Sequence, residues 1–244
     1  MPEKISLANI NFVVKGKPLL NNISFSLSEG EKMIVTGRSG SGKSVLLEIS
    51  AGLIRPHEGQ VFINGSDIQK MTRNERLLIR QEMGFVFQKN ALICNINSFE
   101  NIALPLRYHL HLPETEIKKR VMKSMEKFSI AHLREERPEA LSTSEARRVS
   151  IARSLIMNPK LLFLDQPLSG LDPVTTIPII NLIEDLHAQK NLAMLIASHN
   201  IQMMKQLRCK IAVLDQGNLI DLHQYKDQKN GDKPEIISCL EGQI

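Results

Sequence analysis

An α/β core interrupted by a helical block, with an antiparallel β region at the N-terminus, is the fold class this sequence predicts. Three observations carry the prediction. Short apolar runs such as "EGEKMIVTG" (29–37), "MGFVFQ" (83–88) and "LLFLD" (161–165) read as buried strands. The first of these runs into a glycine-rich loop and then a helix-spaced segment. From about 95 to 157 the alternation stops and helical segments follow one another, which is the pattern of an inserted subdomain.

The elements follow in order. Residues 5–14 and 19–27 carry strand-like stretches split by "KGKP", a turn. "SGKSVLLEISAGL" (41–53) places Val45, Leu46, Ile49 and Leu53 at helical spacing. "GQVFINGSDI" (59–68) is hairpin-like. "SFENIALPLRYHL", "PETEIKKRVMKSMEKFSI" and "SEARRVSIARSLIMN" read as helices, the second opened by Pro113 and acidic residues. Then come a strand at 161–165, a helix at about 175–189, and strands at 192–197 and 211–215. The tail from 217 reads as polar, ending in a short amphipathic stretch, "PEIISCLEGQI". The expected division is a domain over 1–220, with core segments 1–88 and 158–220 around a helical subdomain 89–157, and an extension over 221–244.

Composition narrows the function classes. No apolar run reaches the length that crosses a bilayer. The N-terminus lacks the basic flank and apolar stretch of a signal peptide. Cys94, Cys209 and Cys239 are odd in number and widely spaced, which fits a reducing compartment better than a disulfide framework or zinc site. A net charge of +5 on 31 basic and 26 acidic residues reads as a mixed solvated surface. With 4% aromatics and no basic run, nucleic acid is not an expected partner.

"GRSGSGKS" (37–44) fits the phosphate-loop pattern G-x-x-x-x-G-K-[ST], with a strand before it and a helix after. Gly37, Arg38, Ser39, Gly40, Ser41 and Gly42 would curl the backbone so that N–H groups face phosphate oxygens. Lys43 would reach the β- and γ-phosphates, and the Ser44 hydroxyl would ligate Mg²⁺. Asp165, at the end of its own apolar strand, is the metal-side carboxylate.

Taken together, these parts resemble the ATP-binding subunit of ABC transporters over nearly the whole chain. The resemblance implies a P-loop NTPase core of RecA-like type, with ATP and Mg²⁺ as cofactors. It implies that Gln88 in "FVFQ" senses Mg²⁺ and the membrane partner, and that His199 in "ASHN" contacts the γ-phosphate. Asp172 in "SGLD" falls in the loop that crosses a dimer interface, and Ser142 in "LSTSEARRVSIARSL" would meet the opposite subunit's ATP in trans. Three positions depart from the family pattern. Thr143 and Ser144 replace the two glycines of the signature, where a Cβ crowds phosphate approach. Val14, with Phe12 two residues away, stands where an aromatic should stack on adenine. Gln166 replaces the catalytic glutamate, and an amide is no general base, a loss that typically costs ~10²–10⁴ in rate. Three readings stay open: hydrolysis is weak or absent in this form, the glutamine was introduced to trap the bound state, or Gln166 supports slow turnover with water oriented by His199.

"GFVFQKNALICNINSFENIALPLRYHLHLPETEI" (84–117) further resembles the ATPases of mammalian-cell-entry lipid transporters, including the maintenance-of-lipid-asymmetry system. The match runs through Phe87, Gln88, Ala91, Leu92, Glu100, Asn101, Ala103, Pro105, Leu106, Arg107 and His109. "PEIISCLEGQI" resembles the tail of that group. This implies a peripheral subunit on the cytoplasmic side of a bacterial inner membrane, paired with a second ABC subunit as a homodimer. Transmembrane permease subunits would dock on 84–117, with a periplasmic lipid-binding component reached indirectly. Two rival readings stay open: another ABC class, such as lipoprotein release or solute import, and a non-catalytic module that uses ATP as dimer glue.

Overall fold

The computed structural model describes residues 2–222. The N-terminal half runs β1 (Glu3–Val14), β2 (Lys17–Ser28), β3 (Lys32–Thr36), α1 (Lys43–Ser50), β4 (Glu58–Ile63), β5 (Ser66–Asp67), α2 (Arg73–Gln81) and β6 (Met83–Val86). Helices α3 (Ser98–His109), α4 (Glu114–Lys127) and α5 (Thr143–Leu155) follow. The rest is β7 (Leu161–Asp165), α6 (Pro173–Lys190), β8 (Ala193–Ala197), α7 (Ile201–Leu207), β9 (Lys210–Asp215) and β10 (Asn218–Asp221). The terminal stretch "PEIISCLEGQI" lies outside the described residues.

Two sheets form. One is antiparallel and four-stranded, in the order β2-β1-β4-β5. The other is six-stranded, β10-β9-β3-β8-β7-β6, parallel except for the antiparallel edge strand β10. Side chains alternate across the parallel strands. Ile34, Val86, Leu162, Leu164, Met194 and Ile196 face a core shared with helices α3 to α7. Met33, Val35, Leu161, Phe163, Leu195 and Ala197 face the other core, shared with α1 and the antiparallel sheet. Burial on both faces explains why β7 and β8 are continuous apolar runs. Phe163 is fully buried and stacks on Phe85 with ring centroids 5.7 Å apart. Phe163→Ala is expected to lower unfolding stability by about 3–5 kcal/mol, read by chemical denaturation.

The sheet direction positions the site. Strands β3, β6, β7 and β8 are parallel, so their following loops emerge at one edge. Those loops carry residues 37–42, Gln88, Gln166 and His199.

Several expectations need correction. The expected helix over 41–53 stops at Ser50, and Leu53 lies beyond it, 45% exposed. α2 is an element the apolar pattern did not reveal, because none of its residues is buried. Its signal is the capping box: Glu75 N–H donates to Thr72 Oγ1, and Thr72 N–H donates back to the Glu75 carboxylate. α7 is only seven residues long and is capped by Asn200, whose side chain accepts from Met203 N–H. The tail read as polar from 217 contains β10, which pairs back on β9 through a tight turn at Gln216 and Gly217.

Candidate nucleotide site

The cleft is built from the loop between β3 and α1. Gly42, in a left-handed conformation at φ 102°, caps α1, and a Cβ there would press on Leu19. The Lys43 ammonium donates to the carbonyls of Gly37 at 2.9 Å and Arg38 at 2.7 Å, tying the loop across its mouth. Burial pushes the Lys43 pKa down, and the Asp165 charge opposes that shift. The Ser44 hydroxyl donates to Asp165 Oδ1 at 3.0 Å. Burial raises the Asp165 pKa, against the Ser44 hydrogen bond and the charges of Lys43 and Arg147.

A cavity of about 530 Å³ collects Gly37, Arg38, Ser39, Gly40, Gly42, Lys43, Ser44, Gln88, Gln166 and His199. Ser41 lies behind the lysine, its hydroxyl 3.4 Å from Lys43 Nζ. Gln166 follows the strand-end carboxylate in a left-handed conformation, φ 47°, with its N–H donating to Ala197 O. Four loops therefore converge on one opening. The donor set fits a polyphosphate with a divalent cation: a glycine-lined backbone cradle, a buried ammonium, and a hydroxyl resting on a buried carboxylate.

Asp165 does not line this cavity and meets it through Ser44, and Ser142 and Asp172 also lie outside its lining. The Ser142 Oγ accepts from Glu145 N–H, and its hydroxyl donates to Glu145 Oε2 at 2.7 Å. The reciprocal bond from Ser142 N–H to the same carboxylate closes a capping box at the start of α5. Asp172 caps α6, Oδ1 accepting from the N–H groups of Val174 and Thr175. The loop before α6 runs beside the start of α5, since a Cβ at Gly170 would sit 3.5 Å from Thr143 Cγ2. Phe12 does not line the cavity; its ring packs against His57 with centroids 4.8 Å apart. Leu19 and Val45 supply the apolar lining instead.

Sequence reasoning missed one set of residues here. Arg147, Ser150 and Arg153 stand three apart on α5 and pin the loop after β6. Arg147 donates to the carbonyls of Phe87 and Gln88, Ser150 to Asn90, and Arg153 to Asn90 and Ala91. Asn90 and Ala91 adopt left-handed conformations, φ 60° and 49°, so this loop needs external ties. The readable signal was the i, i+3, i+6 spacing of polar residues within "RRVSIAR".

Against known proteins, the sequence profile described as "ABC transporter" matches residues 20–169. The chain belongs to the ABC transporter family. The cassette is 34% identical to the methionine import ATP-binding protein MetN of Carboxydothermus hydrogenoformans, over 89% of this chain and 65% of that protein. It is 32% identical to the intermembrane phospholipid transport system ATP-binding protein MlaF of Haemophilus influenzae, over 81% of this chain and 75% of that one. The chain thus spans about two thirds of the length of the MetN protein that it matches. Among solved structures it is similar to the dimeric bacterial ABC transporter cassette MJ0796, with TM-score 0.82, 30% identity, and coverage of 87% of this chain and 95% of that one. A post-hydrolysis dimer of MJ0796 bound to ADP and Pi matches with TM-score 0.82 and 28% identity, over 89% of this chain and 98% of that one. No described helix of the cassette is long and apolar enough to cross a membrane.

The cassette has a second opening, a groove of about 430 Å³ between the sheet edge at β6 and helix α3. Met83, Phe85, Phe87, Leu104 and Tyr108 line it beside the basic Arg80, His109 and Arg153, and Tyr108 is 70% exposed. Phe87 faces this groove while Gln88 faces the phosphate cleft, so adjacent residues serve different cavities.

Proposed function

We propose that this chain is the ATP-binding motor subunit of a mammalian-cell-entry type lipid-transport complex, peripheral on the cytoplasmic face of a bacterial inner membrane. The cleft uniting Lys43, the Ser44–Asp165 pair, Gln88, Gln166 and His199 is the observation that carries the nucleotide part. The lipid part is supported by the relative named for phospholipid transport and by the match along 84–117. The relative named for methionine import supports a solute importer as the second reading.

In the proposed mechanism, N–H groups of residues 37–42 and the Lys43 ammonium hold the ATP phosphates, a task suited to a helix N-terminus and a nest of amides. Ser44, Gln88 and Asp165 would hold Mg²⁺, which when bound neutralises phosphate charge. His199 faces the same opening and would touch the γ-phosphate. Gln166 can orient a water but cannot accept its proton, so chemistry is slow. A second copy of this chain would close the cleft, bringing the start of α5, with Ser142 capped on Glu145, in trans and Asp172 to the interface. Dimer closure then biases two states of the permease through its differential affinity for ATP. The apolar groove lined by Phe87 and Tyr108 takes the permease, and no nucleic acid is involved.

The test is purification of the tagged chain from native membranes. Co-purification of a permease with a periplasmic lipid-binding protein supports the reading; a methionine-type permease alone sinks its lipid part. Tyr108→Glu should cut permease recovery at least tenfold, because it puts a charge into a desolvated contact, while leaving ATP affinity unchanged.

A further inference from the structure

Arg147 is 1% exposed, among the largest fully buried side chains of the cassette. Its two terminal nitrogens reach separate carbonyls, Phe87 at 2.8 Å and Gln88 at 2.9 Å. Those residues face the apolar groove and the phosphate cleft respectively. The Gln88 side chain is itself exposed, so its place depends on how the backbone beneath it is held. The planar guanidinium fork holds the two carbonyls in fixed directions, which an ammonium on a flexible stem does less rigidly. The Asp165 charge partly offsets the burial of the guanidinium.

We infer that Arg147 is a positioning residue that sets Gln88 at the cleft, and so governs how strongly nucleotide affinity depends on Mg²⁺. The inference rests on the nucleotide reading of the cleft and deepens it. Arg147 does not line the phosphate cleft and acts through the Gln88 backbone. Charge-assisted hydrogen bonds to two carbonyls make the effect measurable.

The experiment is a double-mutant cycle on the full chain. The Kd of a fluorescent ATP analogue is measured with Mg²⁺ and with EDTA, for Arg147→Met, Arg147→Lys, Gln88→Ala and the Met/Ala pair. Arg147→Met should weaken the Mg²⁺-supported affinity about tenfold and change the EDTA value less than about twofold. Arg147→Lys should recover part of that loss. In the Gln88→Ala background the Arg147→Met loss should vanish. Equal losses with and without Mg²⁺, or full additivity with Gln88→Ala, overturn the inference and leave the nucleotide reading standing. Should Gln88→Ala leave the Mg²⁺ dependence intact, the assignment of Gln88 falls, and the role of Arg147 with it. If Arg147→Met does not fold, Arg147→Lys decides by the same criteria: a Mg²⁺-specific loss erased by Gln88→Ala supports the role, and any other pattern overturns it.

Discussion

Gly37→Ala is expected to abolish ATP binding, with a Kd rise of more than about 100-fold, and to lower thermal stability. Gly37 follows β3 and turns the chain into the cradle at φ 149°, a conformation side chains rarely adopt. A Cβ there would lie 2.3 Å from the Leu214 carbonyl oxygen and 3.0 Å from Ser41 Oγ. The serine can rotate away. The carbonyl cannot, because it belongs to β9, and β9 is hydrogen-bonded to β3 along its length. The backbone strain costs about 1–3 kcal/mol. Relief must come from the loop, which moves the Gly37 carbonyl that anchors Lys43. Loss of that geometry disperses the amides that face phosphate, so binding suffers more than stability. Isothermal titration with ATP, beside a melting curve, reads both. An alanine variant that keeps native ATP affinity would remove the loop from the site.

Gln166→Glu should raise the rate of ATP hydrolysis by about 10² in single-turnover assays of the partner-bound complex. Gln166 is 9% exposed, follows Asp165 directly, and lines the cleft opposite Lys43 and Ser44. A carboxylate at this place can take a proton from water, which the amide cannot. The gain should fall short of the full range for base catalysis because the start of α5 is closed on itself. The Ser142 hydroxyl and N–H donate hydrogen bonds to the Glu145 carboxylate, and these hold its pKa below the usual range. An ionised carboxylate at that helix end repels a phosphate approaching in trans. Robust turnover by the unchanged chain, lost in Lys43→Ala, would contradict weak hydrolysis. An absent gain in Gln166→Glu would assign the defect to residues 142–145.

Much of the site was legible because its chemistry is local in sequence. "GRSGSGKS" must curl whatever surrounds it, since its glycines and following helix need no distant partner to define the cradle. The place of Asp165 at a strand tip was legible because the apolar run before it marks a buried strand ending there. α2 was not legible from apolar periodicity because it buries nothing, although its Thr72–Glu75 cap was available. β10 was missed because an edge strand half exposed to solvent carries little apolar signal.

The sequence by itself determined the class of ligand, the family, and the order of the strands and helices other than α2, α7 and β10. These follow from short motifs and periodicities that act over a few residues. Only the tertiary structure decided which loops meet. The parallel order of β3, β8, β7 and β6 places residues up to 162 apart, Gly37 and His199, at one opening. It alone showed that Arg147 reaches back 60 and 59 residues to hold the chain between two cavities. It also showed Ser142 spent on Glu145, and Phe12 on His57. Pairing partners and spent hydrogen bonds are properties of distance in space, and periodicity along a chain carries no such distance.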